Sequence, residues 1–174
     1  EFRRVLFRSK RYSRNFLKKI NLKYIVMCEN LSISGINTAG IPDNTMKTLI
    51  LDIEFNRKYF ERVIHHEVFH IINDQHKKLF NEIDWKKINT PNFEYAKCSI
   101  CTEKLGLDTY KKSNGFFTEY SKSTASEDMA EVYSFLIILD TKKIKEIRNS
   151  DVILDKKISY IENKIKLIDN SFKF

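Results

Sequence analysis

Hydrophobic and polar positions along this chain change period several times, and each change marks an element. Residues 12–20 mix apolar and basic side chains and predict a short basic helix. Leu22-Lys23-Tyr24-Ile25-Val26-Met27-Cys28 is rich in β-forming types and predicts a strand. Residues 34–44 hold Gly35, Gly40, Pro42 and Asn44 and predict a loop. Residues 48–55 predict the best strand in the chain. Their second half alternates apolar with acidic side chains, as a one-sided or edge strand would. From 59 to 80, Phe60, Val63, Ile64, Val68, Ile71 and Ile72 form an apolar surface wide enough to anchor a helix in a core. Asn89-Thr90-Pro91-Asn92 breaks that pattern, and residues 93–115 follow no period. Ser126 is placed to cap a helix over 127–139. The apolar run at 132–139 is too short to span a bilayer and reads as a buried helix. Ile153, Ile158, Ile161, Ile165 and Ile168 recur at helical spacing and predict a helix over 152–168. There is no internal repeat and no low-complexity linker.

Composition narrows the class without naming a function. A chain of 174 residues, 42% hydrophobic and 31% charged, fits one soluble globular domain with a real core. Residues 1–9 read as a translated cloning or adaptor scar and are set aside, which leaves a single domain over 10–174. The natural start would then be missing. The formal charge is +8, of which the three Arg and one Glu of that prefix supply +2. The remaining lysines alternate with acids, as on a solvated surface. No aromatic-basic motif is interleaved with them, so nucleic acid is not an expected partner. Three cysteines, Cys28, Cys98 and Cys101, do not make a disulfide framework.

The chemistry is concentrated at one place. All four histidines lie between His65 and His76, and His66-Glu67-x-x-His70 forms the pattern H-E-x-x-H. On a helix, residues four apart share a face, so His66 and His70 can direct two imidazoles at one ion. Glu67 is then close enough to reach a water on that ion, which is the ligand-and-base arrangement of a zinc peptidase. An amphipathic helix with a polar histidine face would give the same five letters. His65 points about 100° away from His66. His76 is off their line, so both are expected to be bystanders.

A catalytic zinc takes three protein ligands and leaves one position open. With no histidine outside the cluster, the third ligand is expected to be a carboxylate. Glu127 and Glu131 are four apart beside Asp128. Two such glutamates repel mildly in water and suit a cation with its histidines better. In that picture Glu127 binds zinc and Glu131 hydrogen-bonds the outer nitrogen of a ligand histidine. Acids in a first helical turn also suit the helix dipole without any metal.

At these residues the chain comes to resemble a family. Tyr-x6-Glu-x3-Glu downstream of H-E-x-x-H is similar to the catalytic domain of anthrax lethal factor. It is closer still to bacterial zinc-binding metallopeptidases that share that core. Those proteins carry an ordered set of turns and aromatics. Here the set reads Trp85-Lys-Lys-Ile-Asn89-Thr90-Pro91, Phe93-Glu-Tyr95, Gly115-Phe116-Phe117-Thr-Glu-Tyr120 and Ser126-Glu127-Asp128-Met129-Ala130-Glu131. The resemblance spans about residues 48 to 139. It implies His66, His70 and Glu127 as zinc ligands of the gluzincin type, Glu67 as the base and Glu131 as a support for a ligand. It also implies Tyr120 as the phenol that hydrogen-bonds the developing oxyanion. Phe69 departs from the pattern, where small residues are common, and is expected to reshape the pocket floor. Relatives of this type are often exported, which favours a secreted or cell-surface location by analogy alone.

The expected fold is α+β with a zincin-like core: a small twisted mixed sheet on the H-E-x-x-H helix, the Glu127 helix beside it, and a C-terminal helical part closing the core. Residues 48–55 would be the sheet edge along the cleft and pair with an extended substrate. The expected activity is zinc-dependent hydrolysis of peptide bonds in a peptide or protein substrate by a monomer. A zinc-activated water would attack, with Glu67 as general base. Two other classes stay open: a zinc-binding interaction domain without activity, and a basic nucleic-acid-binding protein whose H-E-x-x-H is coincidental. For Cys98-x-x-Cys101 a small-loop disulfide or two inert thiols is favoured over a redox pair.

Overall fold

In a computed structural model, residues 12–55, 57–99, 106–110 and 114–174 are described. The chain begins with helix α1 (Arg14–Lys19), capped by Ser13, whose hydroxyl accepts from the Phe16 N–H. Strand β1 (Tyr24–Cys28) follows, then β2 (Ser32–Ile33), β3 (Ile36–Asn37), β4 (Gly40–Asp43) and β5 (Thr48–Asp52). The predicted loop at 34–44 is therefore mostly strand. The β2–β3 turn is Ser34-Gly35, with φ of 52° and 80°. A two-residue hairpin turn of this hand needs positive φ at both positions. The glycines and proline that suggested a loop are the turn and an end strand.

One sheet has the order β1-β5-β4, with β1 parallel and β4 antiparallel to β5. Residues 48–55 are thus not an edge strand: β5 is the central strand and ends at Asp52. Leu49 and Leu51 are fully buried. The acid that mimicked a solvent face is buried too, because the Asp52 carboxylate accepts from the Leu31, Glu54 and Phe55 N–H groups at 2.8–3.0 Å. It organises chain turns instead of facing water.

Helix α2 (Phe60–Gln75) carries the histidines and is preceded by a 3₁₀ turn, Arg57–Tyr59. It stops short of the predicted residue 80. Phe80 packs on Phe69 with ring centroids 5.1 Å apart. A straight helix would separate residues eleven apart by about 16 Å, so the chain must turn back. Helix α3 (Glu82–Lys86) buries Trp85. Helix α4 (Ala125–Ile138) crosses α2 and is buried nearly all round. Its cap is Thr124, whose hydroxyl accepts from the Glu127 N–H at 3.2 Å. Ser126, the expected cap, lies inside the first turn. Helix α5 (Thr141–Ser150), unmarked in the sequence pattern, precedes α6 (Val152–Ile168), which closes the core against α4. The fold is mixed α+β, as expected. Among the described residues no helix is long and apolar enough to cross a membrane.

His65 and His76 serve the α1 side of the molecule. His65 is buried and its Nδ1 hydrogen-bonds the Tyr12 hydroxyl at 3.0 Å. His76 Nε2 meets the Lys19 carbonyl at 3.1 Å. Cys28 is free and Cys98 is disulfide-bonded. Cys101, like the 1–9 prefix, lies outside the described residues.

Candidate metal centre

Helices α2 and α4 place three side chains at one point. His66 and His70 are one turn apart on α2, and Glu127 projects from the first turn of α4. His66 Nε2 and Glu127 Oε2 are 2.8 Å apart, and His70 Nε2 lies 3.2 Å from each. Among the described residues this is the group whose ligand atoms could hold a metal ion, all within 4.8 Å of one another.

The donor set fits a cation. His66 Nδ1 donates to Glu131 Oε1 at 2.9 Å, so its Nε2 is left with a lone pair directed at a carboxylate and a second imidazole. With His70 in the tautomer whose Nε2 is also unprotonated, three acceptors face one point, which suits a cation between them. A proton can supply that charge in the metal-free protein. Burial pushes the His66 imidazole down, but Glu127 and Glu131 outweigh burial and push it up to about 10. Burial would raise the Glu127 carboxyl, yet the two imidazoles hold it far below the usual carboxylate range. A divalent ion satisfies the same atoms without the proton.

Glu131 is more than a partner of His66. Its Oε2 also accepts from Thr118 Oγ1 at 2.7 Å and from Arg62 Nη1, and all three side chains are buried. Arg62 was not legible as a site residue, because an arginine before an H-E-x-x-H helix face reads as a solvated charge. The signal was its place four residues before His66, on the same helix face. Its guanidinium lies over the Phe135 ring at 4.8 Å and its Nη2 donates to the Leu107 carbonyl at 2.7 Å.

Glu67 and Tyr120 border the same point. The structure brings the Tyr120 ring to 5.8 Å from the His66 ring. Burial, with the charges of Glu127 and Glu67, pushes the Tyr120 phenol well above its usual value, so it stays a donor. Burial also raises the Glu67 carboxyl, against the two imidazoles. Glu67 is wedged beneath β4: a Cβ at Gly40 would stand 2.6 Å from Glu67 Cγ and 3.0 Å from its Cδ. Only a residue without a Cβ lets the strand run this close.

These groups line a cleft of about 920 Å³ between α2, β4 and the β2–β3 hairpin. Phe69 does not reshape its floor. It is fully buried on the other side of α2, against Phe80 and Tyr133.

The remaining motifs meet elsewhere. Asp128 Oδ2 accepts from Trp85 Nε1 at 2.9 Å, from Lys157 Nζ at 2.7 Å and from the Tyr95 hydroxyl at 2.5 Å. Asn89 Nδ2 donates to the Tyr95 hydroxyl, and Lys157 Nζ also donates to the Gly115 carbonyl. The tryptophan turn, the Phe-x-Tyr and the Gly-Phe segments thus converge on the residue next to Glu127.

A family model described as "Putative zinc-binding metallo-peptidase" matches residues 7–173. The chain belongs to this family, and the family's cofactor is zinc. No curated protein and no solved structure matches the chain significantly.

Proposed function

We propose that this chain is a zinc-dependent endopeptidase of the gluzincin type, one zincin-like domain over 10–174, similar to the catalytic domain of anthrax lethal factor. The observation that carries the reading is the convergence of His66, His70 and Glu127 beside Glu67 in an open cleft. His66, His70 and Glu127 hold the ion, and Glu131 orients His66 through Nδ1. The zinc, when bound, supplies a Lewis acid toward water and the scissile carbonyl. Glu67 takes the proton of the attacking water and delivers it to the leaving amine, a task helped by its raised pKa. The Tyr120 phenol donates to the oxyanion that develops on the substrate carbonyl.

The substrate pairs with β4 rather than with residues 48–55. Asp52 N donates to the Ala39 carbonyl, so the antiparallel alternation turns the Gly40 N–H and the Pro42 carbonyl away from β5. An extended peptide can bond to them as an added strand.

Metal analysis and one substitution test the proposal together. The purified protein is expected to hold one zinc per chain. Glu67→Gln is expected to keep that zinc while peptide cleavage falls by about 100- to 10,000-fold. Undiminished proteolysis in Glu67→Gln, or a wild-type protein that takes up no zinc, would overturn it.

A further inference from the structure

The three-stranded sheet has two outer edges. β4 borders the cleft, and β1 lies on the far side of β5. Tyr24 N–H donates to the Lys47 carbonyl, and the Cys28 carbonyl accepts from the Ile53 N–H, so these positions of β1 bond to β5. Bonding residues alternate along a parallel pair, which turns the N–H and carbonyl groups of Ile25 and Met27 away from β5. Among the described residues no strand pairs with that edge. An unpaired edge is a template for another strand.

The side chains along this edge are apolar and exposed. Tyr24 is 61% exposed, Val26 47% and Met27 51%. Tyr24 and Val26 are in register with Thr48 and Ile50, on the sheet face away from the buried Leu49 and Leu51. Edge strands commonly refuse partners with an internal lysine, a proline or a bulge. β1 has none of these, and its register with β5 is unbroken. Its charges flank it instead. Lys23 precedes the strand and Glu29 follows it, both are exposed, and neither joins a salt bridge among the described residues.

We infer that β1 is an interface for a second copy of this chain, paired antiparallel about a twofold axis through Val26. That register sets Ile25 opposite Met27 of the other copy, so outward-facing backbone groups meet outward-facing groups. It also sets Lys23 opposite Glu29 of the other copy, at both ends of the pair. A slip of one residue opposes outward groups to inward ones. A slip of two sets Lys23 against Met27, or Ile25 against Glu29. Backbone parity and charge therefore select the same register. The same patch is used on both copies, so the assembly closes as a dimer. The cleft, across β5 at β4, stays open in each copy. This pair differs from the monomer expected from the sequence. A single five-residue strand is a small contact, so the dimer is weak, with a Kd of about 1–100 µM.

Sedimentation velocity on the full chain, from about 1 to 200 µM, tests the interface. A concentration-dependent monomer–dimer equilibrium is expected. Met27→Pro removes an outward N–H at an edge position that accepts proline, and should raise Kd by about tenfold or more while zinc content and circular dichroism hold. Lys23→Glu and Glu29→Lys should each weaken pairing by about tenfold, and the two together should restore it. In a Cys28→Ser background, Val26→Cys is expected to cross-link to itself on oxidation with diamide, since directly opposed residues of a non-hydrogen-bonded pair stand within disulfide reach. A chain that stays monomeric overturns the interface. So does a dimer indifferent to Met27→Pro, a charge reversal that its opposite fails to rescue, or an absent cross-link. Should Met27→Pro unfold the protein, the charge-reversal rescue and the cross-link decide without it.

Discussion

His66 uses its two ring nitrogens for different work. Nε2 faces the point shared with His70 and Glu127, and Nδ1 is fixed by Glu131. The Glu131 carboxylate is itself held by Arg62 and Thr118. Its orientation is therefore set before any ion arrives, and removing its charge disturbs a buried guanidinium as well as an imidazole. Glu131→Gln is expected to weaken zinc binding by about 10- to 100-fold without abolishing it, measured by competition with a chelator. An unchanged affinity would mean that Glu131 serves Arg62 alone. The pentapeptide made His66 and His70 legible because helical spacing decides which residues share a face. Arg62 was not legible, because only packing against Phe135 and Glu131 distinguishes it from a surface arginine.

At the scale of elements, the hairpin and β4 shape the cleft and Asp52 anchors them. The Leu31 N–H is the largest influence on the Asp52 carboxyl; with the Glu54 and Phe55 N–H groups it lowers the pKa, opposed by burial. The carboxylate form is therefore the one the folded anchor prefers. Its contribution is present above the ordinary carboxylate value of about 4 and is lost as pH falls through the lowered folded value. Amide protection factors at Leu31, Glu54 and Phe55 are expected to hold at neutral pH and drop in acid, while those inside α4 persist. Asp52→Ala should show the same loss at neutral pH. The Gly40 contact belongs to this scale as well. Gly40→Ala should retain zinc, since it touches no ligand, but lower turnover by displacing Glu67 or β4. A rate equal to wild type would show that the strand can shift freely.

Over the whole molecule, the C-terminal helix is wired to the site. Lys157 on α6 and Asp128 on α4 form an ion pair with both side chains fully buried, one residue from Glu127. Breaking such a pair leaves a charge stranded in the core. Lys157→Met is expected to destabilise the protein by about 3–5 kcal/mol, and Lys157→Met with Asp128→Asn by clearly less, in urea unfolding of the zinc-free protein. Equal losses in the two variants would remove the pair from this role. By itself the sequence determined what depends on local spacing: α1, β1, α6, the run of α2, the two imidazoles on one face, and a carboxylate pair four residues apart. Periodicity of 3.6 or 2 is written residue by residue, so these could be read without the fold. The tertiary structure alone decided that β5 is central and β4 borders the cleft, because strand order follows from pairing between distant segments. It alone decided that Trp85, Tyr95 and Lys157 meet at Asp128, and it set the distances at which Glu127, expected from the sequence as the third ligand, approaches His66 and His70. Those contacts join positions far apart in the chain, where no local period records which side chains will face each other.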